Sequence, residues 1–135
     1  MDERVREALA KGGIIDITTT GRQSGQQRRI EIVFHNFDGH LYISGFPRKP
    51  KRSWLANLEA NPQFTFHLKS SVSNLPPGVS PPGNVSADLP ATARSITDKG
   101  ERRQVLARVA QTWGRGDLDE LVAHAPLVEV TIEGV

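Results

Sequence analysis

The dipeptide Asp38-Gly39 constrains this chain more than any other feature. Before it, residues 29–37 alternate Ile30, Ile32 and Phe34 against Glu31, Val33 and His35; after it, residues 40–44 form a second short run, HLYIS. A two-residue loop between antiparallel strands needs positive φ at its central residues, which glycine takes without steric cost and aspartate tolerates. The stretch therefore predicts a β-hairpin. A hairpin with one apolar face is marginal alone, so more strands must join it. Candidates lie on both sides. Residues 14–19 are β-branched almost throughout and enter a polar turn, GRQSGQQ; residues 63–69 put Phe64, Phe66 and Leu68 on one face; residues 128–133, VEVTIE, alternate again. Residues 85–96 predict a fifth strand, in which Pro90, having no N–H to donate, suits an edge or a bulge.

Helical signals fall between these strands. Val5, Ala8 and Leu9 share one face of residues 2–11, which Gly12-Gly13 then stop. Ser53 can cap a short helix over 54–60, with Trp54, Leu55 and Leu58 as its apolar face and Asn61-Pro62 as its end. Asp98 with Glu101 has the spacing of a capping box and opens a helix to about Trp113, whose stripe is Val105, Val109 and Trp113. A last helix covers 117–124, before Pro126. Short connections and one crossing helix favour an α+β fold, an antiparallel sheet or small barrel of about six strands with short helices on it, over a doubly wound parallel sheet. At 135 residues the expectation is one domain. Residues 70–84 hold four prolines, two glycines and no charge, and predict a mobile insertion, not a linker.

Composition narrows the chemistry. Without cysteine there is no disulfide, thiolate metal site or cysteine nucleophile. No apolar run approaches the roughly 20 residues of a spanning helix, and the charged N-terminus has no signal-like apolar core, so the reading is cytoplasmic. The histidines show no HExxH spacing, no GxSxG is present, and GRQSG lacks both the P-loop lysine and the dinucleotide spacing; no metal is expected. Charge is concentrated. Residues 21–69 carry eight basic and three acidic side chains, whereas 84–135 carry six and eight. An anion would meet the central segment, through Arg22, Arg28 and Arg29 of the first turn and Arg48, Lys49 and Arg52 of the loop after the hairpin. An anion site without a nucleophile suits a redox cofactor, which brings its own hydride chemistry. A nucleic acid is not the expected partner: no recognition motif is present, and a net charge of +2 attracts weakly.

The run Thr18-Thr19-Thr20-Gly21-Arg22-Gln23-Ser24-Gly25-Gln26-Gln27-Arg28, the Asp-Gly hairpin, and Trp54-Leu55-Ala56-Asn57-Leu58-Glu59-Ala60-Asn61-Pro62 before a strand resemble the deazaflavin-dependent nitroreductase family. The resemblance implies a split β-barrel, related to flavin-reductase barrels, that uses reduced deazaflavin coenzyme F-420 as hydride donor; FMN, or no cofactor, are the alternatives. It places the coenzyme's acidic tail against the turn and its ring near Trp54. The implied cofactor-binding set is Arg22, Ser24, Gly25, Arg28, Arg29, Ser44, Arg48, Lys49, Arg52 and Trp54. Where the family tends to have a Ser-Lys-Gly-Gly turn, this chain reads Gly45-Phe46-Pro47-Arg48, and Glu31 stands where proline is common. The implied reaction is hydride transfer to an apolar conjugated acceptor: a quinone, enone, nitro compound or unsaturated acyl chain. Its proton would come from solvent, Tyr42 or His35, and no catalytic residue is assigned. The alternative is a non-catalytic barrel that binds a fatty acid or other lipid in a groove lined by Phe34, Phe46, Trp54 and Phe64. The cationic, aromatic loop GFPRKPKRSW also suits peripheral contact with an anionic membrane, and either a monomer or a homodimer is compatible with the pattern.

Overall fold

The computed structural model describes residues 3–45, 53–68, 87–114 and 116–133, excluding the side chains of Arg4, Lys11 and Ser53. The expectations for Arg48, Lys49, Arg52, Phe46 and the 70–84 loop lie outside these residues. The elements, in chain order, are α1 (Glu3–Lys11), β1 (Gly13–Thr20), β2 (Gln27–Phe37), β3 (His40–Ser44), α2 (Ser53–Ala60), β4 (Gln63–Leu68), β5 (Ala87–Ser95), α3 (Lys99–Trp113), α4 (Leu118–His124) and β6 (Leu127–Ile132).

All six strands close into one antiparallel barrel in the order β1-β2-β3-β6-β5-β4. The hairpin is where the sequence places it, with Asp38 at φ 57° and Gly39 at φ 87°, positive at both central residues as the tight turn requires. Closure removes every edge, which corrects the reading of β5 as an edge or bulged strand. Pro90 is tolerated for a different reason. It pairs with Thr65 of β4 and lies beyond the β5–β6 register, which begins at Ala91 opposite Ile132. Its carbonyl still accepts from the Glu133 N–H at 3.1 Å, so the missing donor falls where β6 has run out.

Alternation sorts each strand into an inner and an outer face. Ile15 and Ile17, Phe34, Ile43, Phe64 and Phe66, Ala91 and Ala93, and Val128 and Val130 pack in the barrel interior, where Phe34 and Phe66 meet edge to face at 5.1 Å. Two helices cover the ends. α1 adds Val5, Ala8 and Leu9 to this core and is tied near the β2–β3 turn by Asn36 Nδ2, which donates to the Leu9 carbonyl at 3.0 Å. α2 adds Trp54, Leu55 and Leu58 at the opposite end, beside the β1–β2 turn.

A second core forms outside the barrel, where Val105, Leu106, Val109 and Ala110 of α3 and Leu121 of α4 cover Tyr42, Ile96 and Leu127. Trp113 packs against this cluster, on the chain's own barrel. Asp98 caps α3 by accepting from the Glu101 N–H at 2.8 Å. The reciprocal half of the expected capping box is replaced: the Glu101 carboxylate is taken by Arg94, with distances of 2.6 and 3.1 Å. Arg102 donates to the carbonyls of Ile96, Leu121, Val122 and Ala125, which joins α3 to the end of α4 and satisfies carbonyls that a helix terminus leaves open.

Candidate functional site

The β1–β2 turn is folded on itself. The Gly21 N–H donates to the Gln26 carbonyl at 2.7 Å, the Gly25 N–H donates to the Gly21 carbonyl at 2.9 Å, and the Gln26 N–H donates to Ser24 Oγ at 3.1 Å. Gly25 takes φ 70°. Gly21 is required by close approach, since a Cβ there would sit 2.8 Å from Ser24 Oγ and 3.1 Å from the Gln26 carbonyl oxygen. The turn thus arrives at the barrel mouth already shaped. There it meets Asn57 of α2, whose Oδ1 accepts from the Arg22 backbone N–H at 3.2 Å and from Arg22 Nη1 at 3.0 Å.

A cavity of about 260 Å³ opens at this junction, lined by Gly21, Arg22, Gln23, Ser24, Arg28 and Asn57. Among the described residues its lining has two guanidinium groups and no carboxylate. Arg28 reaches it because of the strand register. It pairs with Thr19, which faces the barrel interior, so its side chain rises on the inner side of the mouth. Arg29, one residue on, points the other way and meets Asp16 at 2.8 Å on the outer face. Glu31 shares that outer face, opposite Asp16, and so is directed away from the cavity. Nearby on the outside, Thr18 Oγ1 lies 2.7 Å from His67 Nε2, and His67 Nδ1 lies 2.6 Å from Asp88, tying β1, β4 and β5 together. The His67 hydrogen bond holds the Asp88 carboxyl below the usual carboxylate range.

The structure therefore gathers Arg22, Ser24 and Arg28 into one cavity, beside Gly25, and places Arg29, Ser44 and Trp54, the other described residues of the implied set, outside its lining. Ser44 is buried and donates through Oγ to the Pro126 carbonyl at 2.8 Å. Trp54 is 8% exposed and belongs with Phe34 and Phe64 to the inner core. Neither Tyr42 nor His35 is near the turn. His35 sits at the far end of β2, about 26 Å of extended strand from Gln27. It is stacked on Phe37 and tilted against Trp113, and burial pushes its imidazole down to about 4. Burial, with Glu129 nearby, raises the Tyr42 phenol. Among the described residues no group of His, Asp and Glu side chains is arranged to hold a metal ion.

Asn57 belongs to the run that carries the resemblance but not to the implied cofactor-binding set. Its signal was there: a carboxamide between Trp54, Leu55 and Leu58, on the face of the helix that turns inward. A polar side chain on a buried stripe needs a partner, and the partner is worth locating.

A family model described as F420H(2)-dependent quinone reductase matches residues 2–76. The chain belongs to that family. No curated protein matches it. Among solved structures, an F420-H2 dependent reductase (FDR-A) superposes with a TM-score of 0.56 at 20% identity, covering 88% of this chain and 94% of the other. A FAD-binding protein from Mesorhizobium loti gives 0.58 at 18%, covering 97% and 88%. The haem storage protein HutZ from Vibrio cholerae gives 0.67 at 15%, covering 99% and 91%. At such identities the likeness is one of fold, and the fold of this quinone reductase family member is the split β-barrel. The cavity suits one part of a deazaflavin coenzyme. At about 260 Å³ it is smaller than the several hundred Å³ of a typical whole-ligand pocket, and its cations and preformed turn match an acidic group.

Proposed function

We propose that the protein binds the acidic tail of reduced deazaflavin coenzyme F-420 at the Arg22–Arg28 cavity and serves the reduction of a quinone or a similar apolar conjugated acceptor. The observation that carries this reading is the pairing of two guanidinium groups in a cavity whose described lining has no carboxylate, in a member of a reductase family. The coenzyme, when bound, supplies the hydride. The chain supplies charge and rigidity. Arg22 spends one Nη1 hydrogen on Asn57 and keeps its other N–H groups for an anion, and Arg28 approaches from the facing strand. Each charge-assisted bond contributes about 1.5–3 kcal/mol, or roughly tenfold to a hundredfold in affinity.

The test is a fluorescence titration of the protein with reduced F-420, repeated with Arg22→Ala and Arg28→Ala, followed by turnover with a soluble quinone. Binding that weakens at least tenfold in each variant, with quinone-dependent oxidation of the coenzyme by the native chain, is the expected result. Affinity equal in all three proteins, or no binding to native protein, would overturn it. A purified protein that is yellow and holds FMN would replace the deazaflavin with a flavin at the same site.

A further inference from the structure

We infer that Asn57 is the positioning residue of the anion site, and that it must be a neutral amide because its oxygen stands in the cavity lining beside Arg22. This rests on the anion-binding reading above and adds to it a residue and a reason for its chemistry.

Asn57 is 3% exposed. A buried carboxamide destabilises a fold unless its polar atoms are paired. Both hydrogen bonds received by Oδ1 come from one residue, the N–H and Nη1 of Arg22, while Nδ2 reaches Thr19 Oγ1 at a long 3.4 Å. Two donors converging on one atom settle which way the amide faces. They also hold the backbone and the tip of the same side chain at once. An arginine otherwise gives up rotamer freedom when a ligand arrives, at about 0.5–1.5 kcal/mol for a rotamer-rich side chain. Here Asn57 takes up that ordering during folding, and one bond to Nη1 leaves most of the five guanidinium N–H groups open.

Aspartate would accept the same two bonds, and its charge would strengthen them. It would also place a carboxylate in a lining that has none among the described residues, offsetting Arg22 and repelling the ligand. Asparagine orders the arginine and leaves its charge for the anion. The alternative, that Asn57 serves only to pack α2 on the barrel, predicts that Asn57→Ala, once folded, binds an anion as tightly as the native protein.

The experiment uses the full chain and naphthalene trisulfonate, a fluorescent polyanion whose sulfonates stay ionised across the carboxyl range. Its affinity is measured from about pH 8 to about pH 4 for the native protein, Asn57→Asp and Asn57→Ala, with the fold of each checked by circular dichroism. The expected result is weakening of at least tenfold for Asn57→Asp across this range, since a carboxylate that accepts from the Arg22 N–H and guanidinium stays ionised. Asn57→Ala should also bind more weakly than the native protein at every pH. Native-like affinity of folded Asn57→Asp, or of folded Asn57→Ala, would overturn the inference. A native protein that binds no polyanion would overturn the site itself, which is a separate and recognisable outcome. Relaxation of Arg22 Nε in the ligand-free native protein needs no variant to fold. An order parameter near the rigid-backbone value of about 0.85 supports positioning by Asn57, and one below about 0.6 refutes it.

Discussion

His35 makes the stability of this protein depend on pH in a way that can be isolated. The imidazole is 6% exposed, Nε2 is buried without a hydrogen-bond partner, and Phe37 and Trp113 flank the ring at 5.5 Å. Burial alone pushes the folded-state value from 6.5 down to about 4. The unfolded chain takes up its proton near pH 6.5, so between about pH 6.5 and about pH 4 it holds more protons than the folded chain. Stability from this group is complete above that window and is lost as pH falls through it. A displacement of this size corresponds to about 3 kcal/mol, a large part of the 5–15 kcal/mol of a typical domain. His35→Phe keeps a flat ring on Phe37 and removes the titration. Asp88 and Glu129, whose carboxyls are held low by hydrogen bonds from His67 and Arg94, also cost stability in acid, but equally in both proteins. Urea denaturation of native and His35→Phe proteins at steps from about pH 7.5 to about pH 4 should give two curves that diverge by about 3 kcal/mol, the native falling faster. Parallel curves, or an NMR titration of His35 centred near pH 6.5, would refute the reasoning.

Gly21→Ala should weaken polyanion binding at least tenfold while leaving the barrel's circular dichroism intact, because the new Cβ presses on Ser24 Oγ and the Gln26 carbonyl within the turn. Equal affinity would show that the turn adapts. Asp98→Ala removes the cap on α3 and should cost about 1 kcal/mol, read as a fall of a few degrees in Tm. Arg102→Met keeps most of the aliphatic stem but leaves the carbonyls of Ile96, Leu121, Val122 and Ala125 without their guanidinium donor. The expected loss is about 3 kcal/mol by chemical denaturation, and a loss below about 1 kcal/mol would mean that water replaces the donor freely.

The strands were legible because their pattern is local. Ile30, Ile32 and Phe34 mark one face of β2 by alternation alone, and Asp38-Gly39 marks the reversal by backbone sterics. The same alternation separates Arg28 from Arg29. Grouping them as one cationic patch overlooked that adjacent residues of a strand face opposite sides, and only Arg28 joins the cavity. His35 was harder to read. It occupies an outward position where a polar residue normally meets water, and α3 covers that position from much farther along the chain.

Sequence by itself determined the elements, the hairpin, the capped start of α3 and a turn rich in glycine and arginine, since each depends on steric and hydrogen-bonding preferences within a few neighbouring residues. Tertiary structure decided which of those residues meet. Asn57 finds Arg22 across 35 positions. Pro90 is accommodated because β6 ends beside it. Barrel closure turns Arg28 inward at the mouth while Arg29 pairs with Asp16 outside. Local preference sets the face a side chain takes on its own strand; what lies across from that face depends on the order in which distant strands pair.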